Sequence, residues 1–345
     1  MYSRKKISRM GEALMTAKSP EERNEALQII NEWRSNHVLP LLARKNALLR
    51  LMEKHGLQPI ISSQRLKRLT SIEYKLDLNP QMGLGGMQDI GGYRAVVKDV
   101  KDLRALYLLL NAQRSSHRLL RTSNYINEPK ASGYRSIHFV YQYSSKADRY
   151  NNLKLELQIR TKLQHNWATA VETVGLITNT SLKSSQGSDS WLNFFRIVSS
   201  LFAIKEKLPK LAEHAELSMS ELMIDCYHLC EELNVIKTLR AITVTIDKMT
   251  ETKHVNHYYL LNIDFVALRV NVQVFSKSQL PKATDMYIEL EKSIDDSENA
   301  VVLVSAVNMR ALKKAYPSYF LDTSEFIQAL ERIQRNCIDR GLVKV

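Results

Sequence analysis

Residues 153–160 read LKLELQIR and alternate without a break. Leu153, Leu155, Leu157 and Ile159 fall on one side, and Lys154, Glu156, Gln158 and Arg160 on the other. This is the period-two pattern of a strand with one face in a core. The polar face centres on a carboxylate, Glu156, with a cation and an amide two residues away on either side and a second cation beyond the amide. A metal ligand or general base beside phosphate-binding cations has this make-up. So does the ordinary solvated face of an antiparallel strand. The surrounding segments bear on the choice.

Five of the 11 glycines fall between Gly83 and Gly92, in MGLGGMQDIGGYR, and Gly133 lies in the same region. Glycine collects where the backbone turns tightly or approaches a ligand. The spacing matches neither a P-loop nor a dinucleotide fingerprint. Asp89 and Arg94 sit at the end of this cluster, entering the strand YRAVV. Asp89 is either a turn residue or one half of a carboxylate pair with Glu156, suited to Mg²⁺, which is held by one or two carboxylates plus substrate phosphates. Upstream, RLKRLTSIEYKL (65–76) offers Arg65, Lys67, Lys75 and Ser71 to a polyphosphate, or forms a plain basic helix start. Downstream, PKASGYRSIH (129–138) groups Lys130, Arg135 and His138 around Tyr134, an aromatic plate for a base, or forms a plain hairpin.

The chain has 345 residues, 44% hydrophobic and 25% charged, enough for two domains with a sizeable core. No apolar run approaches the length of a membrane span, and the basic start MYSRKKISRM leads into no apolar stretch, so a soluble protein without a secretory signal is expected. Cys226, Cys230 and Cys337 are too few for a disulfide framework and suit a reducing cytoplasm as buried thiols. The net charge of +13 is lopsided. Residues 1–180 carry 29 Lys/Arg against 15 Asp/Glu, whereas residues 181–345 carry 20 against 21. The basic half should attract polyanions, nucleotides or RNA, although the same charge also serves solubility.

The spacing predicts helix over 20–56, interrupted at Pro40 and ended by Gly56. Short strands, turns and helices follow to 180, then a Ser-rich loop at 179–190 and helix over 191–240. From 241 the period changes: ITVTI (242–246), YYLLNIDF (258–265), ALRVNVQVF (267–275) and VVLVSAV (301–307) read as strands, with helices at 282–294 and 324–336. The expected domains are a helical lead-in, 1–60; a central domain, 61–180; a helical connector, 181–240; and a C-terminal α+β module, 241–345.

Taken together, Arg65–Leu76, Asp89–Arg94, Tyr125–His138, Glu156–Thr161 and LQHNWATAVET (163–173) resemble, in order, the synthetase domain of the RelA/SpoT alarmone synthetase family. The segment WRSNHVLPL (33–41) resembles a lead-in found in one branch of it. The resemblance implies an α+β fold, a nucleotidyltransferase-like mixed sheet flanked by helices, with the smaller C-terminal unit added. It implies a GTP/GDP pyrophosphokinase: transfer of the β,γ-pyrophosphate of ATP to the 3′-hydroxyl of GDP or GTP, making the alarmone (p)ppGpp of the stringent response. Arg65, Lys67, Ser71, Lys75 and Arg94 then match ATP-binding positions, and Asp89 and Glu156 the Mg²⁺ carboxylates, with Glu156 also the base. Tyr134, Lys130, Arg135, His138, Gln158 and Arg160 match positions lining the acceptor and its phosphates.

The chain departs from the family in places. Asn124 stands where the family often has Asp before Tyr-Ile, and the second adenine-stacking arginine has no clear match, Arg104 being unassigned. No His-Asp dipeptide of the family's hydrolase domain occurs, so a synthetase-only member is expected. Two other readings stay open. Toxin members of the family pyrophosphorylate adenosine nucleotides or the tRNA 3′ end, and a decayed synthetase fold could serve as a binding protein. The C-terminal module reads as a sensor, a cover or an oligomerisation surface, and removing residues 235–345 should change activity or oligomeric state without abolishing the chemistry.

Overall fold

The alternating stretch is a strand, and it lies inside a single mixed sheet. A computed structural model describes residues 2–177, 188–246, 257–264, 267, 269–293, 299–306, 308–320 and 322–344. Its strands are β1 (Ile61–Leu66), β2 (Gly91–Val97), β3 (Arg118–Asn124), β4 (Ile137–Gln142), β5 (Lys154–Thr161), β6 (His257–Asp264), β7 (Arg269–Phe275) and β8 (Asn299–Ala306). They form one eight-stranded sheet in the order β3-β4-β5-β2-β1-β8-β6-β7. β2 and β5 run parallel; the other neighbours are antiparallel. The strands of the C-terminal unit therefore extend the central sheet through the pairing of β8 with β1.

The helices are α1 (Arg4–Thr16), α2 (Pro20–Ser35), α3 (Val38–Lys54), α4 (Leu69–Asp77), α5 (Val100–Ala112), α6 (Lys162–Ile177), α7 (Asp189–Lys205), α8 (Met219–Glu232), α9 (Val235–Ile246), α10 (Leu280–Ser293), α11 (Met309–Ala315) and α12 (Ser324–Asp339). On one face of the sheet, Leu155, Leu157 and Ile159 of β5 and Tyr93, Ala95 and Val97 of β2 join apolar residues of α3, α5 and α10 in the largest core. The remaining residues of those strands, Gly92, Arg94, Glu156, Gln158 and Arg160, must then point to the other face, because side chains alternate. A second core of α6 to α9 and α12 packs beyond that face and holds all three cysteines, buried and free.

Several sequence expectations change. The break in the first helical region falls at Asn36–His37, between α2 and α3, and not at Pro40, which sits in the first turn of α3 where a missing N–H costs nothing. Gly56, at φ +68°, does end the run: Leu57 N–H bonds Met52 C=O at 2.9 Å and Gly56 N–H bonds Glu53 C=O at 3.0 Å, closing the helix with a left-handed cap. The preceding helix α1 went unread; it buries Ile7, Gly11 and Leu14 along one stripe. ITVTI, expected as a strand, is the last turn of α9. β-propensity is a weak local preference, and α9 is anchored through Val235 and Leu239 in the helical core. The Ser-rich stretch lies outside the described residues up to 187, as do Phe265, Leu268 and Val307.

Candidate active site

The cleft is built by cross-strand rows on the polar face of the sheet. One row runs Arg65–Gly92–Glu156 across β1, β2 and β5; the next runs Ser63–Arg94–Gln158–His138 from β1 to β4. Its lining comprises Arg65, Lys67, Asp89, Arg94, Glu156 and Gln158, together with His165, Thr169 and Glu172 of α6 and Tyr316 and Pro317 of the C-terminal unit. A Cβ on Gly92 would have only the Arg65 carbonyl, 4.0 Å away, within reach. The glycine leaves open space directly beside Glu156. Gly85 has a different task, since a Cβ there would lie 2.2 Å from the Arg4 carbonyl of α1.

Glu156 is almost fully buried and doubly held. His138 Nδ1 lies 3.0 Å from its Oε1, and the Gln158 amide donates to its Oε2 at 2.7 Å. Burial works to raise its pKa, but the hydrogen bond and charge of His138 and the Gln158 amide outweigh it, so the carboxyl titrates below its ordinary range. Gln158 Oε1 in turn accepts from Arg94 Nη2 at 3.3 Å. On the far side of His138, its Nε2 lies 2.9 Å from the Tyr134 hydroxyl. A relay Tyr134–His138–Glu156–Gln158–Arg94 thus runs into the cleft lining from outside it. Lys130 covers the aromatic pair beside it, its Nζ lying 4.9 Å from the Tyr125 ring centre and 5.5 Å from that of Tyr134.

On the opposite side stands Asp89. Lys67 Nζ lies 2.9 Å from Oδ2 and Lys75 Nζ 2.9 Å from Oδ1. Burial opposes ionisation, yet the two ammonium groups outweigh it and bring the Asp89 pKa down to about 2. Ser71 lies one turn before Lys75 on α4 and so shares its face. Glu156 therefore stands between an aromatic group on the β4 side, outside the cleft lining, and a lysine pair on the β1 side.

Of the residues grouped with this site from sequence, Ser71, Lys75, Lys130, Tyr134 and His138 are not part of the lining, and Arg135 and Arg160 are placed differently again. Arg135 is not in the cleft: it is buried, its Nε donates to Ser199 Oγ of α7 at 3.2 Å and its Nη1 to the Ile126 carbonyl at 3.3 Å. Its neighbours Tyr134 and Ser136 alternate with it, which is why it turns away. Arg160 shares the face of Glu156 and Gln158 but is sunk beneath the cleft, with Nη2 2.5 Å from His165 Nδ1. Burial and the nearby charge of Arg94 hold its pKa well below the usual guanidinium range.

Asn124 accepts from Ile126 N–H at 3.1 Å through its side-chain oxygen, a turn that an aspartate would make equally. Arg104 lies on an exposed part of α5, apart from the cleft lining. Sequence reading missed His165, Thr169 and Glu172, although their spacing of four and three places them on one helix face. Nothing local marked Tyr316, whose hydroxyl accepts from Gln64 N–H at 2.9 Å and donates to the Gln64 carbonyl at 2.6 Å.

Residues 64–174 match the family described as the region found in RelA / SpoT proteins. Two proteins of Bacillus subtilis (strain 168) named as GTP pyrophosphokinases are similar to part of the chain. GTP pyrophosphokinase YwaC is 30% identical over 122 residues, 33% of this chain and 58% of that protein. GTP pyrophosphokinase YjbM is 37% identical over 84 residues, 24% and 39% of the two lengths. The chain thus spans little more than half of the first relative and about two fifths of the second. Among solved structures, small alarmone synthetase 1 of B. subtilis bound to its product pppGpp is 22% identical, with a TM-score of 0.42 over 52% of this chain and 92% of that one. The matched residues 64–174 lie within the mixed α+β sheet and carry the second half of β1, β2 to β5 and most of α6.

Among the described residues, no helix is long and apolar enough to cross a membrane.

Proposed function

We propose that the chain transfers the β,γ-pyrophosphate of ATP to the 3′-hydroxyl of GDP or GTP. The observation that carries this is the place of Glu156, in the cleft lining, between two unlike groups. The aromatic plate Tyr134 with Lys130 lies on one side, and the lysine pair around Asp89 on the other. An acceptor base and a donor polyphosphate need such a division, with a base between them.

The 3′-oxygen attacks the β-phosphorus, the bond from that phosphorus to the oxygen bridging α and β breaks, and AMP leaves. Glu156 accepts the hydroxyl proton. It is ionised at neutral pH, and the partners on its two oxygens fix its direction. Lys67, Lys75, Arg65 and Arg94 supply positive charge where charge builds on the transferring group. Exchange of Asp89 for phosphate oxygens at the two lysines frees both ammonium groups for the donor.

A divalent cation fits the donor set. Asp89 and Glu156 are hard oxygen ligands lining one cleft, close enough to feel each other's charge. Each oxygen keeps a second lone pair beside its present partner. Mg²⁺ held there would screen the phosphates and polarise the β-phosphorus.

The excess charge of residues 1–180 supports a second acceptor, the 3′ end of tRNA. A transfer assay with γ-³²P-ATP and Mg²⁺ separates the two, offering GDP, GTP, adenosine nucleotides and bulk tRNA in parallel, with Glu156→Gln as control. Label on GDP or GTP is expected. Label on tRNA or an adenosine nucleotide would replace the acceptor, and no transfer to any acceptor would overturn the enzymatic reading.

A further inference from the structure

The loop that carries Lys67 into α4 is gripped by residues far outside the matched domain. α4 begins without a side-chain cap of its own: Arg68 stands at its N-cap position and makes no capping bond. The first helical N–H groups need partners. Leu69 N–H finds one 222 positions away, donating to Glu291 Oε1 of α10 at 2.7 Å. Glu291 is buried, and its charge is matched by Arg34 of α2, with Nη1 2.7 Å from Oε2 and Nη2 3.1 Å from Oε1. The same Nη2 donates to the Lys67 carbonyl at 2.8 Å. The Tyr287 hydroxyl joins the group, 2.7 Å from Arg34 Nη2 and 2.9 Å from Glu291 Oε1.

Both peptide groups that flank Arg68 are thus bonded to one buried ion pair. A carboxylate already occupies the N-terminus of α4, so the positive end of that helix dipole is spent on Glu291 and not on a phosphate. Donor phosphates must then be held by side chains, and the reach of Lys67, Ser71 and Lys75 depends on where this loop is pinned. Arg34 and Glu291 are closed off from the cleft, so they act only through that backbone.

We propose that Arg34, Tyr287 and Glu291 are positioning residues for the donor-phosphate group, making α10 of the C-terminal unit a working part of the ATP side of the site. This rests on the pyrophosphokinase reading above. It gives a physical route for the sequence expectation that losing residues 235–345 changes activity without abolishing the chemistry.

The test uses the full chain and two variants. Tyr287→Phe removes one hydroxyl. Arg34→Met with Glu291→Met removes both charges together, since removing either alone would bury an unpaired charge. Binding of a non-transferable ATP analogue and of GDP is measured by calorimetry, with amide exchange followed across residues 67–72 and 155–161. The double variant is expected to weaken the ATP analogue about tenfold, the scale of one well-formed charged hydrogen bond. It should keep GDP within about twofold and speed exchange at 67–72 but not at 155–161, with Tyr287→Phe showing the same pattern more weakly. Unchanged analogue binding would overturn the proposal. So would equal loss of both ligands with faster exchange in both segments, the signature of a purely structural role. A wild-type chain that binds no ATP analogue overturns the functional reading and the donor role with it, even if exchange at 67–72 still responds.

Discussion

His138 Nδ1 stands 3.0 Å from Glu156 Oε1, and this single contact ties the aromatic group on β4 and the loop before it to the carboxylate of the cleft. The other ring nitrogen of His138 meets the Tyr134 hydroxyl. The imidazole therefore both aims Glu156 and lowers its pKa.

Replacing Glu156 by Gln keeps the size but removes the charge on which its proposed roles as base and metal ligand depend. The turnover number is expected to fall by roughly three orders of magnitude, with KM for either substrate changing little, because the loss is felt in the transition state. Steady-state transfer kinetics check this. A rise in KM at constant turnover would make Glu156 a binding group.

Replacing His138 by Ala removes the partner that lowers the Glu156 pKa. Burial then dominates and raises it, so the acidic limb of the turnover profile should move to higher pH. Turnover should drop roughly 10-fold to 100-fold at neutral pH, the usual scale for one proton-transfer partner. Rate measurements from pH 5 to 9 show the displacement directly. An unmoved limb would separate His138 from the titration of Glu156.

Asp89 contributes stability through a depressed pKa, about 2 against an ordinary 3.8. The sign follows from proton uptake: the contribution is complete above pH 4 and disappears as pH falls towards 2. Its size is about 2 kcal/mol. Asp89→Asn should therefore be less stable than the wild type by that order at pH 7, and the two denaturation curves should converge as pH is lowered from 4 to 2. A difference that stays constant through that interval would mean the lysine pair does not stabilise the ionised carboxylate.

Gly92 leaves the space beside Glu156 open, with no heavy atom closer than 4.0 Å to a built Cβ. Gly92→Val suits a strand and fills that space. The melting temperature should stay within about 3 °C of wild type, while transfer should fall at least about 100-fold by obstruction of the reacting groups. Full activity would remove this row of the sheet from the substrate path.

Arg135 is bonded to α7 and the Ile126 carbonyl, away from the cleft. Arg135→Met should cost roughly 2 kcal/mol of stability and leave both KM values near wild type. A selective rise in acceptor KM would return Arg135 to the binding site.

The period-two reading of LKLELQIR placed Glu156, Gln158 and Arg160 on one face because alternation is a property of the extended backbone and needs no partner to be legible. The helix stop at Gly56 and the clustering of chemistry between Arg65 and Arg160 were equally readable, since glycine caps and dense polar motifs are local. What tertiary structure alone decided is where those faces go. It turned Arg135 out of the cleft and sank Arg160 beneath it. It drew ITVTI into a helix against its propensity and ran the C-terminal strands into the central sheet. It also brought Arg34 and Glu291, 257 residues apart, onto one loop. Sequence carries no local trace of such a pairing: an arginine in one amphipathic helix and a glutamate in another look like solvated charges until packing buries both and sets each charge against the other in place of water.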